Sequence, residues 1–170
     1  MRKILIGAVC AAASGGIASA EVVSASPDHM ELVLSDVSEL APDELWKKLI
    51  KPSRWWSGDH TYSGDARNLS LVLRAGGLWK EKWKEGAAAH GEVIYFKRGE
   101  ELRLTAPFGP LQDMAVETAW TITLTPEGEG TRVNFVYRAS GSMVSDLHLM
   151  ATAVDYVYSE ALKSLVASDD

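Results

Sequence analysis

The sequence predicts an α+β fold in which a curved antiparallel sheet of about seven strands wraps around a long C-terminal helix. Three observations lead to this class. A strand-like segment and short helices come first, the middle of the chain alternates apolar and polar residues, and the last part has a helical period. A sheet that curls around one amphipathic helix commonly leaves a cavity between the two.

The first elements are one strand and two short helices. Apolar and polar residues alternate loosely over residues 29–40, as in a half-buried strand. Pro42, with two carboxylates directly after it, is typical of a first helical turn, and Pro52 ends that helix. A second brief helical turn is expected over residues 52–56, followed by a polar loop over residues 57–68.

The middle of the chain predicts six further strands, because apolar residues recur with a period of two and Gly-containing segments separate the runs. Successive strands joined by short turns pair antiparallel, so the strands form a meander. The predicted strands cover residues 69–73, 78–84, 90–96, 101–106, 116–124 and 133–139.

The last segment predicts one long helix over residues 145–166. Its apolar residues follow the i, i+3, i+4, i+7 spacing of a single helix face. Ser145 or Asp146 is the expected N-terminal cap. The apolar positions are Leu147, Met150, Val154, Val157, Tyr158, Ala161, Leu162 and Leu165.

The N-terminus has the pattern of a cleavable signal peptide over residues 1–20. Arg2 and Lys3 precede an apolar stretch, and Ala18-Ser19-Ala20 presents the small residues that signal peptidases require. A membrane anchor is the alternative, but a spanning helix needs about 20 apolar residues and two glycines interrupt this run. We therefore expect cleavage after Ala20, a working domain of residues 21–170, and a periplasmic or secreted location.

Composition excludes several classes of function. Cys10 is the only cysteine and lies in the predicted leader, so the mature domain would have no disulfide and no thiol nucleophile. Loss of Arg2 and Lys3 takes the net charge from −6 to about −8, which disfavours nucleic acid as a partner. We expect no membrane-spanning segment after processing and no cofactor, and the oligomeric state stays open.

A set of short motifs extends over nearly the whole mature chain, and together these motifs resemble the START-like helix-grip (SRPBCC, polyketide cyclase and lipid-transport) superfamily. The chain is most similar to the branch of homologues of the activator of a heat-shock-protein ATPase. The motifs are Trp55-Trp56 with Asp59-His60, Gly76-Gly77, Trp79-x-Glu81, Gly91-x-Val93, Leu102-Arg103-Leu104, Gly109-Pro110-Leu111, Gly130-Thr131 and Val154-Asp155.

The resemblance implies a pocket for an apolar or amphipathic small molecule under the C-terminal helix. It does not imply an ATPase, since the chain has no Gly-rich phosphate loop of the Gly-x-x-x-x-Gly-Lys-Ser/Thr type. The superfamily also contains cyclases and hydrolases without one shared catalytic constellation, so the fold alone does not select a chemistry.

Glu81 is the strongest candidate for a polar side chain at the wall of such a pocket. Alternation over residues 78–84 puts it on one face with Trp79 and Trp83, opposite a face of lysines. Without a cation nearby, burial would raise the pKa of Glu81, as suits a polar anchor or an acid/base. The alternative is a buried structural pair with Arg74 or Arg103.

His60, beside Asp59 in the loop, is a second candidate acid/base. The alternative is a solvated loop histidine, since the sequence shows no partner that would activate it as a base. The four histidines lack metal-binding spacing, so no metal site is predicted. The six tryptophans and five tyrosines suit a cavity wall as well as a core. The candidate ligand-binding residues are Trp56, His60, Trp79, Glu81, Trp83, Trp120, Tyr137 and Tyr158.

These observations lead to one function and one alternative. The chain is expected to bind or carry a hydrophobic or amphipathic small molecule in a cavity between sheet and helix. The alternative is an enzyme of cyclase or hydrolase type that uses Glu81 or His60 as acid/base.

Overall fold

The protein forms one eight-stranded antiparallel sheet that curves around a C-terminal helix. The structure, a computed structural model, describes residues 19–168, with side chains from Val22 onward. The strands lie in the order β1-β2-β8-β7-β6-β5-β4-β3, so the first two strands join the meander through β8. The strands are β1 (Ser19–Ser26), β2 (His29–Ser38), β3 (Leu69–Leu71), β4 (Leu78–Lys82), β5 (Ala87–Lys97), β6 (Glu101–Thr105), β7 (Glu117–Glu127) and β8 (Gly130–Ser140).

Within the described part of the chain two α-helices complete the core, α1 (Pro42–Leu49) and α2 (Ala151–Val166). The helix α2 packs against β1, β2 and β8. Its C-terminal end is held by two hydrogen bonds, from Ser38 Oγ to the carbonyl of Val166 at 2.9 Å and from Lys48 Nζ to the carbonyl of Ala167 at 2.6 Å. No helix within residues 19–168 is both long and apolar enough to cross a membrane.

The predicted α+β class, and the order of strand, short helices, strands and long helix, are confirmed. The expected second turn is a 3-10 helix over Pro52–Arg54. The sheet has one strand more than expected, because β1 pairs with β2 ahead of the first predicted strand. Most of the predicted signal peptide, residues 1–18, lies outside the described residues. Cleavage after Ala20 would leave residues 21–26 of β1 in the sheet.

The C-terminal helix begins later than the sequence predicts. Asp146 has φ 48° and ψ 43°, a left-handed conformation that a right-handed helix cannot contain. Residues 143–149 therefore form two 3-10 turns, and α2 begins at Ala151 with no side-chain cap. The expectation that Ser145 or Asp146 caps the helix is wrong.

Candidate functional site

A cavity of about 330 Å³ lies between the sheet and α2. The loop after α1, the segment between β6 and β7, two strands and one face of α2 contribute to its wall, so it forms only when the whole domain is folded. The lining is mainly apolar and aromatic, as in ligand pockets. The lining residues are Trp56, Asp59, His60, Thr61, Tyr62, His90, Phe108, Gly109, Pro110, Leu111, Tyr137, Met150, Ala153, Val154, Val157 and Tyr158.

Stacked aromatic rings build one side of the cavity. Trp56 and Phe108 lie parallel with ring centroids 4.9 Å apart, and the ring of Tyr158 meets the Trp56 ring edge-on at 6.2 Å. Two tryptophans, Trp79 and Trp120, pack behind this layer, and both are fully buried. Aromatic pairs of this kind add to the stability that burial provides.

Glu81 lies behind this wall and anchors the loop that covers the cavity. Its carboxylate accepts hydrogen bonds from the backbone N–H groups of Tyr62 at 3.0 Å and Ser63 at 2.6 Å. The third partner is His90, whose Nε2 lies 2.9 Å from Glu81 Oε2. Burial raises the pKa of Glu81, but the hydrogen bonds from Ser63, Tyr62 and His90 outweigh burial and leave the pKa below its ordinary value.

Both sequence interpretations of Glu81 therefore need correction. The alternation is right, since Trp79 and Glu81 are buried while Lys80 and Lys82 are exposed. Within the described residues, however, the partner of Glu81 is His90 and not Arg74 or Arg103. Arg103 instead donates to Glu101 at 2.5 Å. The carboxylate is ionised because backbone amides stabilise its charge.

His90 connects Glu81 to the cavity. Its ring stacks between Tyr62 and Phe108, at centroid distances of 5.7 and 5.5 Å. The ring is 2% exposed and lines the cavity, whereas its Nδ1 is buried with no hydrogen-bond partner among the described residues. His90 therefore joins Glu81 to the cavity wall through its Nε2 atom.

His60 has the carboxylate partner that the sequence did not reveal. Its Nε2 lies 2.8 Å from Oε2 of Glu160, a residue of α2 that is 100 positions away in the chain. A second contact at the same rim joins the Tyr62 hydroxyl to Gln112 Oε1 at 3.1 Å. Together with the hydrogen bonds that Glu81 accepts, these contacts hold the loop after α1 over the cavity.

The structure brings together four of the eight candidate ligand-binding residues. Trp56, His60, Tyr137 and Tyr158 line the cavity. The other four do not line it: Trp79, Glu81 and Trp120 form the layer behind the wall, and Trp83 lies half-buried beyond the end of β4. Trp83 packs so closely on Gly86 that a Cβ there would lie 2.9 Å from the indole.

Sequence reasoning did not select several lining residues, among them His90, Phe108 and Val157. His90 is the first residue of one predicted strand and Phe108 lies two residues beyond the end of another, where a period of two no longer assigns a face. Val157 belongs to the apolar stripe of the predicted helix, and that signal identifies a buried face without separating core from cavity.

A family model described as "Activator of Hsp90 ATPase homolog 1-like protein" matches residues 39–167. This match covers the chain from the end of β2 to the end of α2, and so includes every residue that lines the cavity. No curated protein matches the chain.

Solved structures with the same fold have sequences that differ widely from this one. CalU16 from Micromonospora echinospora is 16% identical, with a TM-score of 0.60 over 89% of this chain and 83% of that chain. The Aha1 dimer from Colwellia psychrerythraea is 14% identical, with a TM-score of 0.58 over 80% and 92%. A protein from Chromobacterium violaceum is 18% identical, with a TM-score of 0.57 over 82% and 98%. These likenesses confirm the fold.

Proposed function

We propose that this chain, which belongs to the family of Activator of Hsp90 ATPase homolog 1-like proteins, binds a small apolar or amphipathic molecule in the cavity under α2. The single observation that carries this proposal is the cavity itself. It has about 330 Å³ of space behind a wall of aromatic and aliphatic side chains. Pockets of this size and lining are typical sites for small molecules.

The first prediction is that a neutral apolar probe binds in this cavity. N-phenyl-1-naphthylamine, whose fluorescence rises in apolar surroundings, should bind with micromolar affinity, which corresponds to about −8 kcal/mol. Val157→Trp places a large ring in the cavity and should weaken binding at least tenfold. Thr152→Trp is the matched control, because Thr152 is exposed on the same helix and does not line the cavity.

Fluorescence titration with each variant measures these affinities. Equal binding by wild type and Val157→Trp would place the probe elsewhere and would contradict the proposal.

The alternative is a cyclase or hydrolase function. Chemical analysis of the ligand recovered from the protein distinguishes the two, because carriage leaves the ligand unchanged and an enzyme alters it. For that alternative, the pair of His60 with Glu160 at the rim is the supporting geometry, since a carboxylate can orient a histidine base.

We also propose that the domain acts after export. The second prediction is that the exported chain begins at Glu21, because Ala18 and Ala20 occupy the positions at which signal peptidases cut. N-terminal sequencing of periplasmic material tests this start. Replacing the small residue by Ala18→Tyr should block cleavage and serves as the control. An intact Met1 on the wild-type protein in a membrane fraction would contradict the prediction.

A further inference from the structure

We infer that the cavity binds an amphipathic amine, whose apolar part lies at the inner end and whose ammonium group lies at the mouth beside Asp59. This inference rests on the proposed function, because it uses the same cavity. It adds the chemical class of the ligand and the direction in which the ligand lies.

The exposed lining residues show where the mouth of the cavity is. They belong to the loop after α1, to the segment between β6 and β7 and to the first turn of α2. The part of a ligand that lies among them stays in contact with water. Within residues 19–168 the exposed lining residues are Asp59, Tyr62, Pro110 and Ala153.

The inner end of the cavity is formed by buried aromatic and aliphatic side chains. Trp56 and Tyr137 use their polar atoms inside the protein, since the Trp56 indole donates to the carbonyl of His60 and the Tyr137 hydroxyl to that of Ala106, both at 3.1 Å. A charged group placed here would lose its water without gaining a partner, which is costly. The apolar part of an amphipathic ligand therefore belongs at the inner end.

The mouth carries negative charge. No Lys or Arg is present among the described residues that line the cavity, whereas Asp59 lines it and is exposed. The Asp59 carboxylate has no hydrogen bond or ion pair within the part of the chain that the structure describes. Arg67, a basic residue of the same loop, is already paired with Asp65 at 2.7 Å. A ligand ammonium at the mouth would therefore meet an unpaired carboxylate.

The pair of His60 with Glu160 does not reverse this sign. His60 lines the cavity, and its Nε2 lies 2.8 Å from Oε2 of Glu160, whose side chain is 44% exposed. With or without a second proton on His60, the pair has no net positive charge. Asp59 therefore sets the sign at the mouth, and a carboxylate ligand would find no lining cation there to compensate its charge.

Three probes with one ring system test the inference by calorimetry at pH 7 and low ionic strength. The probes are 2-naphthylmethylamine, which is a cation, 2-naphthylmethanol, which is neutral, and 2-naphthoate, which is an anion. We expect the amine to bind about three- to fivefold more tightly than the alcohol, the range of an ion pair in contact with water. The naphthoate should bind more weakly than the alcohol. The preference for the amine should shrink in about 0.5 M NaCl, because salt screens exposed charges.

Asp59→Asn should remove most of the preference for the amine and leave the affinity for the alcohol unchanged. Asp43→Asn is the matched control, since Asp43 is exposed on α1, does not line the cavity and carries the same charge. This control separates the effect of the mouth from that of the net charge of the protein.

Equal affinities of wild type for the amine and the alcohol, or tighter binding of naphthoate, would overturn the inference. An equal loss of preference in Asp43→Asn and Asp59→Asn would also overturn it. In each case binding of 2-naphthylmethanol and N-phenyl-1-naphthylamine would still support the proposed function. Failure of every probe to bind would overturn both.

Discussion

Glu81→Gln should destabilise the domain by about 3 kcal/mol at pH 7, although it preserves the shape of the side chain. Glu81 is fully buried and accepts three hydrogen bonds, two of them from the backbone of the covering loop. A Gln amide presents its own N–H groups to one side of this cluster. At least one buried donor then loses its acceptor, and the charge that strengthened every bond is gone.

The pH dependence has a definite sign. The folded pKa of Glu81 is lower than the unfolded one, so ionised Glu81 stabilises the fold fully above the unfolded pKa of about 4.3. This stabilisation is lost as the pH falls through the folded pKa. The difference in free energy of unfolding between wild type and Glu81→Gln should therefore be full at pH 7 and should shrink below about pH 4.

Urea unfolding at pH 7 and at pH 3.5 measures both effects. Glu117→Gln is the matched control, since Glu117 is exposed on β7 and its change should cost less than about 0.5 kcal/mol. Equal stability of wild type and Glu81→Gln at pH 7 would show that the carboxylate does not anchor the loop.

Leu162→Ala should cost about 2 to 5 kcal/mol, because Leu162 is 2% exposed on the buried face of α2 and its removal leaves a cavity. Thermal or denaturant unfolding measures the loss. Leu149→Ala is the same substitution at a residue that is 71% exposed and should have little effect. A cost below about 1 kcal/mol at Leu162 would mean that α2 is peripheral to the core.

The sequence by itself determined the fold class and the side-chain directions of regular elements. In β4 the alternation of Trp79 and Glu81 with lysines correctly separates the buried from the exposed face. The helical spacing near the C-terminus likewise identifies the buried residues Tyr158 and Leu162. Both patterns are local, because a strand repeats every two residues and a helix every 3.6.

Only the tertiary structure decided what each buried face contacts. Pairing of Glu81 with His90 depends on the register of β4 and β5, and pairing of His60 with Glu160 depends on how α2 crosses the sheet. Local periodicity contains neither kind of information. For this reason the sequence selected Glu81 as a lining residue, whereas the structure places it behind His90.

The residues at which helices and strands begin were also decided by the three-dimensional structure. Because Asp146 has a left-handed backbone conformation, α2 begins only at Ala151. The strand β1 is stabilised by its pairing with β2 rather than by an apolar pattern of its own.

The division of the buried aromatic residues between core and cavity wall also depends on the tertiary structure. Trp56 and Trp120 are chemically alike, and only the packing of the covering loop and α2 puts Trp56 on the wall and Trp120 behind it.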